Sequence, residues 1–296
     1  MNGQKVLVLG ASGLIGSAVA MELAGDNEVH GLSRFRDEAI AARLEERGIK
    51  LIRMDAAKSN FDELSGDYDY VFNEILMPPG ECDKRPSEAF ETHAFTNANI
   101  LRRFRNCKGI VLGSTGSVYR PSDVPATEDA PLGRNVTESL ENYVLSKICG
   151  DQFAEYFSKV YNIPVAILRY YQPYTDNPRR PSYSGYIRAI TQGEPISASH
   201  TLINPMFISD VAELTVKAAE VCSSPANIIN VGGEEIVSLE QLATMIGEAL
   251  GKAPVFKPSS DKASESWICD SSKRIQLLGR EKVSLREGME RIVSGI

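Results

Sequence analysis

Short apolar runs recur along the chain at 5–9, 28–32, 49–54, 69–73, 109–112, 165–168 and 228–231, each the length of a strand buried on both faces. Between them the apolar positions recur at the helical period, over 39–47, 87–105, 139–161 and 209–220, and again over 239–250. Residues 17–23 continue the same way after the first run. Strands alternating with helices predict an α/β protein on a doubly wound, parallel sheet. The helix at 239–250 follows Ser238, an expected N-cap with Gln241 at its third position.

Proline and glycine interrupt this rhythm at Asp176-Asn-Pro-Arg-Arg-Pro181, and 257–266 is polar and irregular. These breaks predict a sheet domain over 1–173, completed by 203–232, with 174–202 and 233–296 forming a smaller C-terminal lobe. A cleft between that lobe and the carboxyl edge of the sheet is the default ligand site.

The first turn makes the ligand more specific. The opening strand stops at Gly10, Gly13 and Gly16 follow, and a helical segment begins. Strand, spaced glycines and helix in that order form a dinucleotide-binding element. Gly10 permits the tight turn, Gly13 admits a pyrophosphate to the backbone, and Gly16 lets helix pack on strand. Ser12, Leu14 and Ile15 complete the turn, whose first helical amides and dipole face the phosphates.

An NAD site ordinarily has a carboxylate at the end of the second strand to accept the ribose hydroxyls. Here the strand ends in Ser33-Arg34, with Arg36 close behind. Guanidinium groups suit a 2′-phosphate, so NADP(H) is expected over NAD; ordinary solvated arginines are the alternative. Asp55, after the third strand, is expected either to contact the adenine or to cap a turn.

Tyr143 and Lys147 are four apart on a predicted helix and therefore share a face. A phenol with a pKa of about 10 is a poor base at neutral pH, and a neighbouring ammonium is expected to lower it. Upstream, Gly113-Ser-Thr-Gly-Ser117 follows a strand, where a hydroxyl could bind the same substrate oxygen.

The glycine turn, Ser114-Thr-Gly-Ser-Val-Tyr119 and Tyr143-Val-Leu-Ser-Lys147 together resemble the extended short-chain dehydrogenase/reductase family, of the NAD-dependent epimerase/dehydratase type. Thr127-Glu-Asp-Ala-Pro-Leu132, Leu168-Arg-Tyr-Tyr171, Phe207-Ile-Ser-Asp-Val-Ala212 and Asn230-Val-Gly-Gly-Glu234 extend the likeness over nearly the whole chain. The resemblance implies a Rossmann-type sheet, an NAD(P) cofactor and a small-molecule substrate in the lobe. It implies Tyr143 as acid/base, Lys147 as its partner on the nicotinamide ribose, and Thr115, ahead of Ser114, as the hydroxyl on the substrate. A homodimer through paired helices is a further expectation of the family.

Departures from the family narrow the substrate. Gly116-Ser117 stand where 4,6-dehydratases carry Asp-Glu, which argues against elimination. Pro205 replaces an arginine that contacts the nucleotide diphosphate in epimerases, and 264–270 lacks a second one. Two lost charge-assisted contacts of about 1.5–3 kcal/mol each are hard to absorb at a diphosphate. Arg179, Arg180 and Arg188 are the candidates to compensate. Gln172-Pro173 replaces the family's asparagine, and Asn73-Glu-Ile-Leu76 followed by Met77-Pro-Pro-Gly80 replaces the His-x-Ala-Ala stretch beside the nicotinamide.

The expected activity is therefore hydride transfer between NADP(H) and a secondary alcohol or ketone. The alternatives are a nucleotide-sugar 4-epimerase that retains its cofactor, and a cofactor-binding sensor without turnover. A net charge of −7 gives no basic surface for nucleic acid. The five scattered cysteines suggest a reducing, cytoplasmic setting, and no apolar run has membrane-span length. Only 1–4 precede the first strand, leaving no room there for a signal peptide. His30, His93 and His200 show no metal-ligand spacing; His93 is expected to be a satisfied core or surface residue, and Trp267 lobe core more than a substrate platform.

Overall fold

A computed structural model describes residues 1–133, 141–179, 182–258 and 266–295. Seven parallel strands form the sheet: β1 (Lys5–Leu9), β2 (Glu28–Ser33), β3 (Lys50–Arg53), β4 (Tyr70–Asn73), β5 (Gly109–Thr115), β6 (Val165–Tyr170) and β7 (Asn227–Val231). Their order is β7-β6-β5-β4-β1-β2-β3, so the chain reverses its direction of travel across the sheet between β1 and β4. At such a switch point the connections leave to opposite sides and open a crevice beyond the carboxyl ends of the strands.

The two-residue period of the strands sorts their side chains into two cores. Val6 and Val8 join Phe72, Val111 and Leu168 on the side covered by helices α1 (Leu14–Leu23) and α5 (Ile208–Ala218). Leu7 and Leu9 join Val71, Ile110, Leu112 and Ile167 on the other side, with Ile100 and Ala154. Those last two belong to α3 (Thr96–Arg103) and α4 (Asn142–Tyr161). α2 (Glu38–Glu46) covers the β3 end. The predicted strands are therefore present, and the central ones are mostly apolar because both of their faces are covered, whereas β2 and β3 towards the edge carry exposed Glu28, Lys50 and Arg53.

A third core lies outside the sheet. Ile187, Ile190 and Ile196 pack there against Leu242 and Ile246 of α6 (Leu239–Leu250) and Met289 and Ile292 of α7 (Leu285–Ser294). The capping box at Ser238 is present, with its hydroxyl accepting from Gln241 and the Gln241 side chain accepting from Ser238. This core is separate from the two that flank the sheet.

Several expectations change in detail. β5 runs on to Thr115, so Gly113, Ser114 and Thr115 belong to the strand end rather than to a loop beyond it. The helix expected at 87–105 is Pro86–Phe90, a π-turn at Glu91–Phe95, and α3. Such turns shift helix phase by one residue and often occur near functional sites. In the irregular 257–266 segment, Val255–Pro258 is a strand paired with Pro195–Ala198, and 259–265 lie outside the described residues. The proposed helix start at 139–140 also lies outside them.

Candidate active site

The glycine turn is built by close approach. Gly10 has φ +77°, and a Cβ there would lie 2.6 Å from the Glu74 carbonyl oxygen. A Cβ on Gly16 would overlap the Gly10 carbonyl, so any side chain there would push α1 off the turn. Gly13 is the N-cap of α1 and donates its N–H to Gly10 O at 2.7 Å. No side chain caps α1 and no acid lies in its first turn, which leaves the positive end of the helix to an anion. This backbone cradle fits a dinucleotide pyrophosphate.

Beyond the turn a cavity of about 620 Å³ follows the carboxyl edge of the sheet. Gly10, Ser12, Gly13, Leu14 and Ile15 line its middle, Ser33, Arg34 and Asp55 one part, and Thr115, Tyr143 and Lys147 another. Residues from five separate stretches of sequence thus meet along the strand ends.

At the first part, the Ser12 and Ser33 hydroxyls are 2.6 Å apart. Arg34 approaches Asp55 at 3.9 Å, with both side chains partly open to solvent. Asp55 lines the cavity and also caps a short turn by accepting from Ala57 N–H, the second role considered for it. Arg36 requires a correction. Phe35 is buried with φ +43°, and its left-handed backbone redirects the chain, leaving Arg36 exposed and outside the cavity. Of the two expected arginines, Arg34 lines the cavity with a carboxylate beside it, and Arg36 is exposed outside the lining.

At the other part, Lys147 Nζ donates to the Gly113 carbonyl at 3.0 Å. One helical turn earlier, Tyr143 lies beside Thr115, and both line the cavity. Burial pushes the Tyr143 phenol up to about 12, with the neighbouring Thr115 hydroxyl opposing it. No lowering by Lys147 accompanies it. Desolvation holds the Lys147 ammonium below its ordinary range, against the pull of Asp151 and Glu74.

Two further groups belong to this end of the cavity. His93 is buried: its Nε2 accepts from Met77 N–H at 3.1 Å, and its Nδ1 faces the Ser146 hydroxyl at 2.8 Å. Ser146 in turn donates to the Tyr143 carbonyl at 2.9 Å. The imidazole meets the Tyr143 ring edge-on, with centroids 5.6 Å apart. It is a satisfied core histidine, and the first turn of α4 is tied through it to the loop after β4. Glu74 also lines the cavity, its Oε1 accepting from Tyr170 O–H at 2.9 Å. In sequence it was one polar residue in an atypical stretch, with no periodicity to mark its direction.

The lobe supplies less charge than the departures required. Arg179 is exposed beside Asp37, Arg188 is exposed, neither lines the cavity, and Arg180 lies outside the described residues. Pro205 stands in place of the family's arginine, and Arg85, on the cavity wall, is paired with Glu81 and Glu88. Trp267 packs against the lobe core and also lines the cavity, so both readings of it hold in part. No helix among the described residues is long and apolar enough to cross a membrane.

Comparison with known proteins agrees with this geometry. The model of the NAD dependent epimerase/dehydratase family matches residues 6–232. An uncharacterised UDP-glucose epimerase of Bacillus subtilis is 23% identical, over 96% of this chain and 95% of that one. A dTDP-4-dehydro-6-deoxy-D-allose reductase of Streptomyces is 26% identical, over 97% of this chain and 94% of its own. The crystal structure of a UDP-glucuronic acid 4-epimerase from Bacillus cereus, in complex with UDP-glucuronic acid and NAD, superposes with a TM-score of 0.82. It is 24% identical and covers 98% of both chains.

Proposed function

This chain belongs to the NAD dependent epimerase/dehydratase family, and on that premise we propose that it is a nucleotide-sugar 4-epimerase that works by reversible hydride transfer. The observation that carries this reading is the joining of Thr115, Tyr143 and Lys147 to the glycine turn by one cavity. The full-length likeness to proteins named as UDP-sugar epimerases supports the choice of substrate.

The bound nicotinamide supplies the hydride acceptor and donor. Thr115 would orient the sugar hydroxyl, and Tyr143, once its own phenolic proton has left to solvent, would take the hydroxyl proton as the carbon is oxidised and return it on reduction. Lys147, held by Gly113, would keep a positive charge beside that exchange and is the residue that would hold the nicotinamide ribose. Residues 174–202 and 233–296 bind the remainder of the substrate. Incubation with UDP-sugars tests this: the reading requires interconversion of 4-epimers with no net change in reduced-nicotinamide absorbance. Stoichiometric consumption of cofactor rejects it.

A second reading is a net reductase of a nucleotide-linked keto sugar using NADP(H). Ser33 and Arg34 at the adenosine part of the cavity favour the phosphorylated cofactor, and Pro205 weakens the epimerase pattern. The reductase relative supports it as well. A homodimer is part of either reading, supported by the exposed Phe95, Tyr156, Val160 and Tyr161 on the helices flanking one face of the sheet. Sedimentation as a monomer at micromolar concentration excludes it. The five unpaired cysteines support a reducing, cytoplasmic setting.

A further inference from the structure

Glu74 is an acid in an apolar place. It follows β4 directly, lines the cavity and has only 8% of its surface exposed. Its side chain lies on the sheet face covered by α5, where Tyr170 O–H donates to Oε1 at 2.9 Å and itself lies 3.0 Å from the Thr215 hydroxyl. The second oxygen occupies the room above Gly113 that a side chain there would fill: a Cβ on Gly113 would overlap Oε2. The carbonyl of that same Gly113 receives the Lys147 ammonium. A carboxyl group and an ammonium therefore flank one glycine of β5, two residues before Thr115.

That position has a consequence for cofactor binding. The glycine turn takes the pyrophosphate, and Ser33, Arg34 and Asp55 mark the adenosine part. The nicotinamide must then reach the part holding Thr115 and Tyr143, where Glu74 forms a wall between β4, β5 and β6. The oxidised ring is a cation and the reduced ring is neutral. A carboxyl group here meets a new positive charge only when the oxidised form binds.

We infer that Glu74 is a proton-linked positioning residue that ionises when oxidised cofactor binds and stays protonated with the reduced form. This rests on the proposed use of NAD(P) in the cavity. The balance is simple: neutral Glu74 and oxidised cofactor give carboxylate, bound cofactor and one proton released to solvent, whereas reduced cofactor binds with no proton released. Burial pushes the Glu74 carboxyl up to about 8, against the opposing Tyr170 hydrogen bond and Lys147 charge. It is therefore largely protonated at neutral pH and free to respond. The groups facing it are Tyr170 from β6, whose phenol burial raises far out of range, and Lys147 from α4, whose ammonium burial lowers. Tyr143 at the same part of the cavity is pushed up to about 12. Of these Lys147, and Tyr143 once a cationic ring lies beside it, can add their own pH dependence, and substitution of Glu74 leaves those contributions in place.

The test is equilibrium titration of the intact protein with oxidised and reduced forms of NAD and NADP, from about pH 6 to about pH 9. In the unaltered protein the oxidised-to-reduced affinity ratio should rise with pH, by up to about tenfold per unit, and level off above about 8. Glu74→Gln keeps an acceptor for Tyr170 O–H and should remove most of that slope. A second measurement needs no variant: in weakly buffered solution near neutrality, an indicator dye should report proton release on adding oxidised cofactor and none on adding reduced cofactor. A ratio independent of pH, or a slope retained in Glu74→Gln, overturns the role of Glu74 while leaving the cofactor assignment standing. Failure to bind either form at any pH overturns both.

Discussion

The ammonium of Lys147 donates to the carbonyl of Gly113 at 3.0 Å, and this one bond sets the distance between α4 and β5 at the site. With Lys147 anchored to the strand, Tyr143 one turn away falls beside Thr115, two residues further along the same strand. The three residues form a rigid set because helix rise and strand rise are both fixed.

Removing the phenol tests that set. Tyr143→Phe should reduce turnover by about 10²–10⁴-fold, the usual contribution of a positioned acid/base. Cofactor affinity and thermal unfolding should change little, since the hydroxyl makes no contact with the glycine turn. Turnover close to the parent's in a folded variant would refute the assignment.

Arg34 and Arg36 should part company in cofactor binding. Arg34→Ala should weaken NADP binding by about tenfold or more, the worth of one charge-assisted bond, and leave NAD binding unchanged. Arg36→Ala, outside the cavity, should alter neither dissociation constant. If NAD binds the parent protein more tightly than NADP, the preference proposed from Ser33 and Arg34 is wrong.

The buried imidazole predicts a sensitivity to acid. Burial, and then the charge of Lys147, push His93 down to about 2 from an ordinary value of 6.5. The Met77 amide holds Nε2 as an acceptor, so the single ring proton is on Nδ1. Below pH 6.5 the unfolded chain protonates this histidine while the folded one does not. Its contribution is complete above that pH and is lost as pH falls, by at most about 1.4 kcal/mol per unit. Urea unfolding should show a shallower decline between pH 6.5 and pH 4.5 in His93→Gln than in the parent. Parallel curves would contradict the burial.

Gly16→Ala is small in chemistry and should be large in effect. The added methyl overlaps the Gly10 carbonyl, so α1 must shift or the turn must open. Cofactor affinity should fall by about a hundredfold or more, with a stability loss of about 1–3 kcal/mol. Gly25→Ala has nothing within 4 Å of the new Cβ but sits at φ +98°, so it should cost stability without touching affinity.

Behind the site, Arg169 Nε meets Asp151 Oδ2 at 3.0 Å, and Arg169 Nη1 donates to Tyr119 O–H at 2.8 Å. Both charged side chains are almost fully buried and tie β6 to α4. Asp151→Asn should leave the guanidinium without its counter-charge and cost about 3–5 kcal/mol by urea unfolding. A loss below about 1 kcal/mol would mean that the pair is solvated in solution.

The sequence made the sheet legible because its central strands are covered on both faces and so are mostly apolar, as at Val6–Leu9. The glycine turn was equally plain, since Gly10 and Gly16 stand where no side chain fits. Tyr143 and Lys147 were found through the i, i+4 geometry of a helix, which needs no tertiary information. What these share is that the constraint acts between near neighbours in the chain.

Tertiary structure decided the rest. Arg36 left the cavity because Phe35 buries its ring in a left-handed turn, a choice made by the core and not by local propensity. The tyrosine has a high pKa because packing from distant parts of the chain buries its phenol, while its lysine is held by a strand carbonyl 34 residues away in sequence. Glu74 became part of the site because Gly113 and Tyr170, on the next two strands, left it room and a donor. Burial and charge environment are sums over residues far apart in the chain, and only the folded arrangement brings them together.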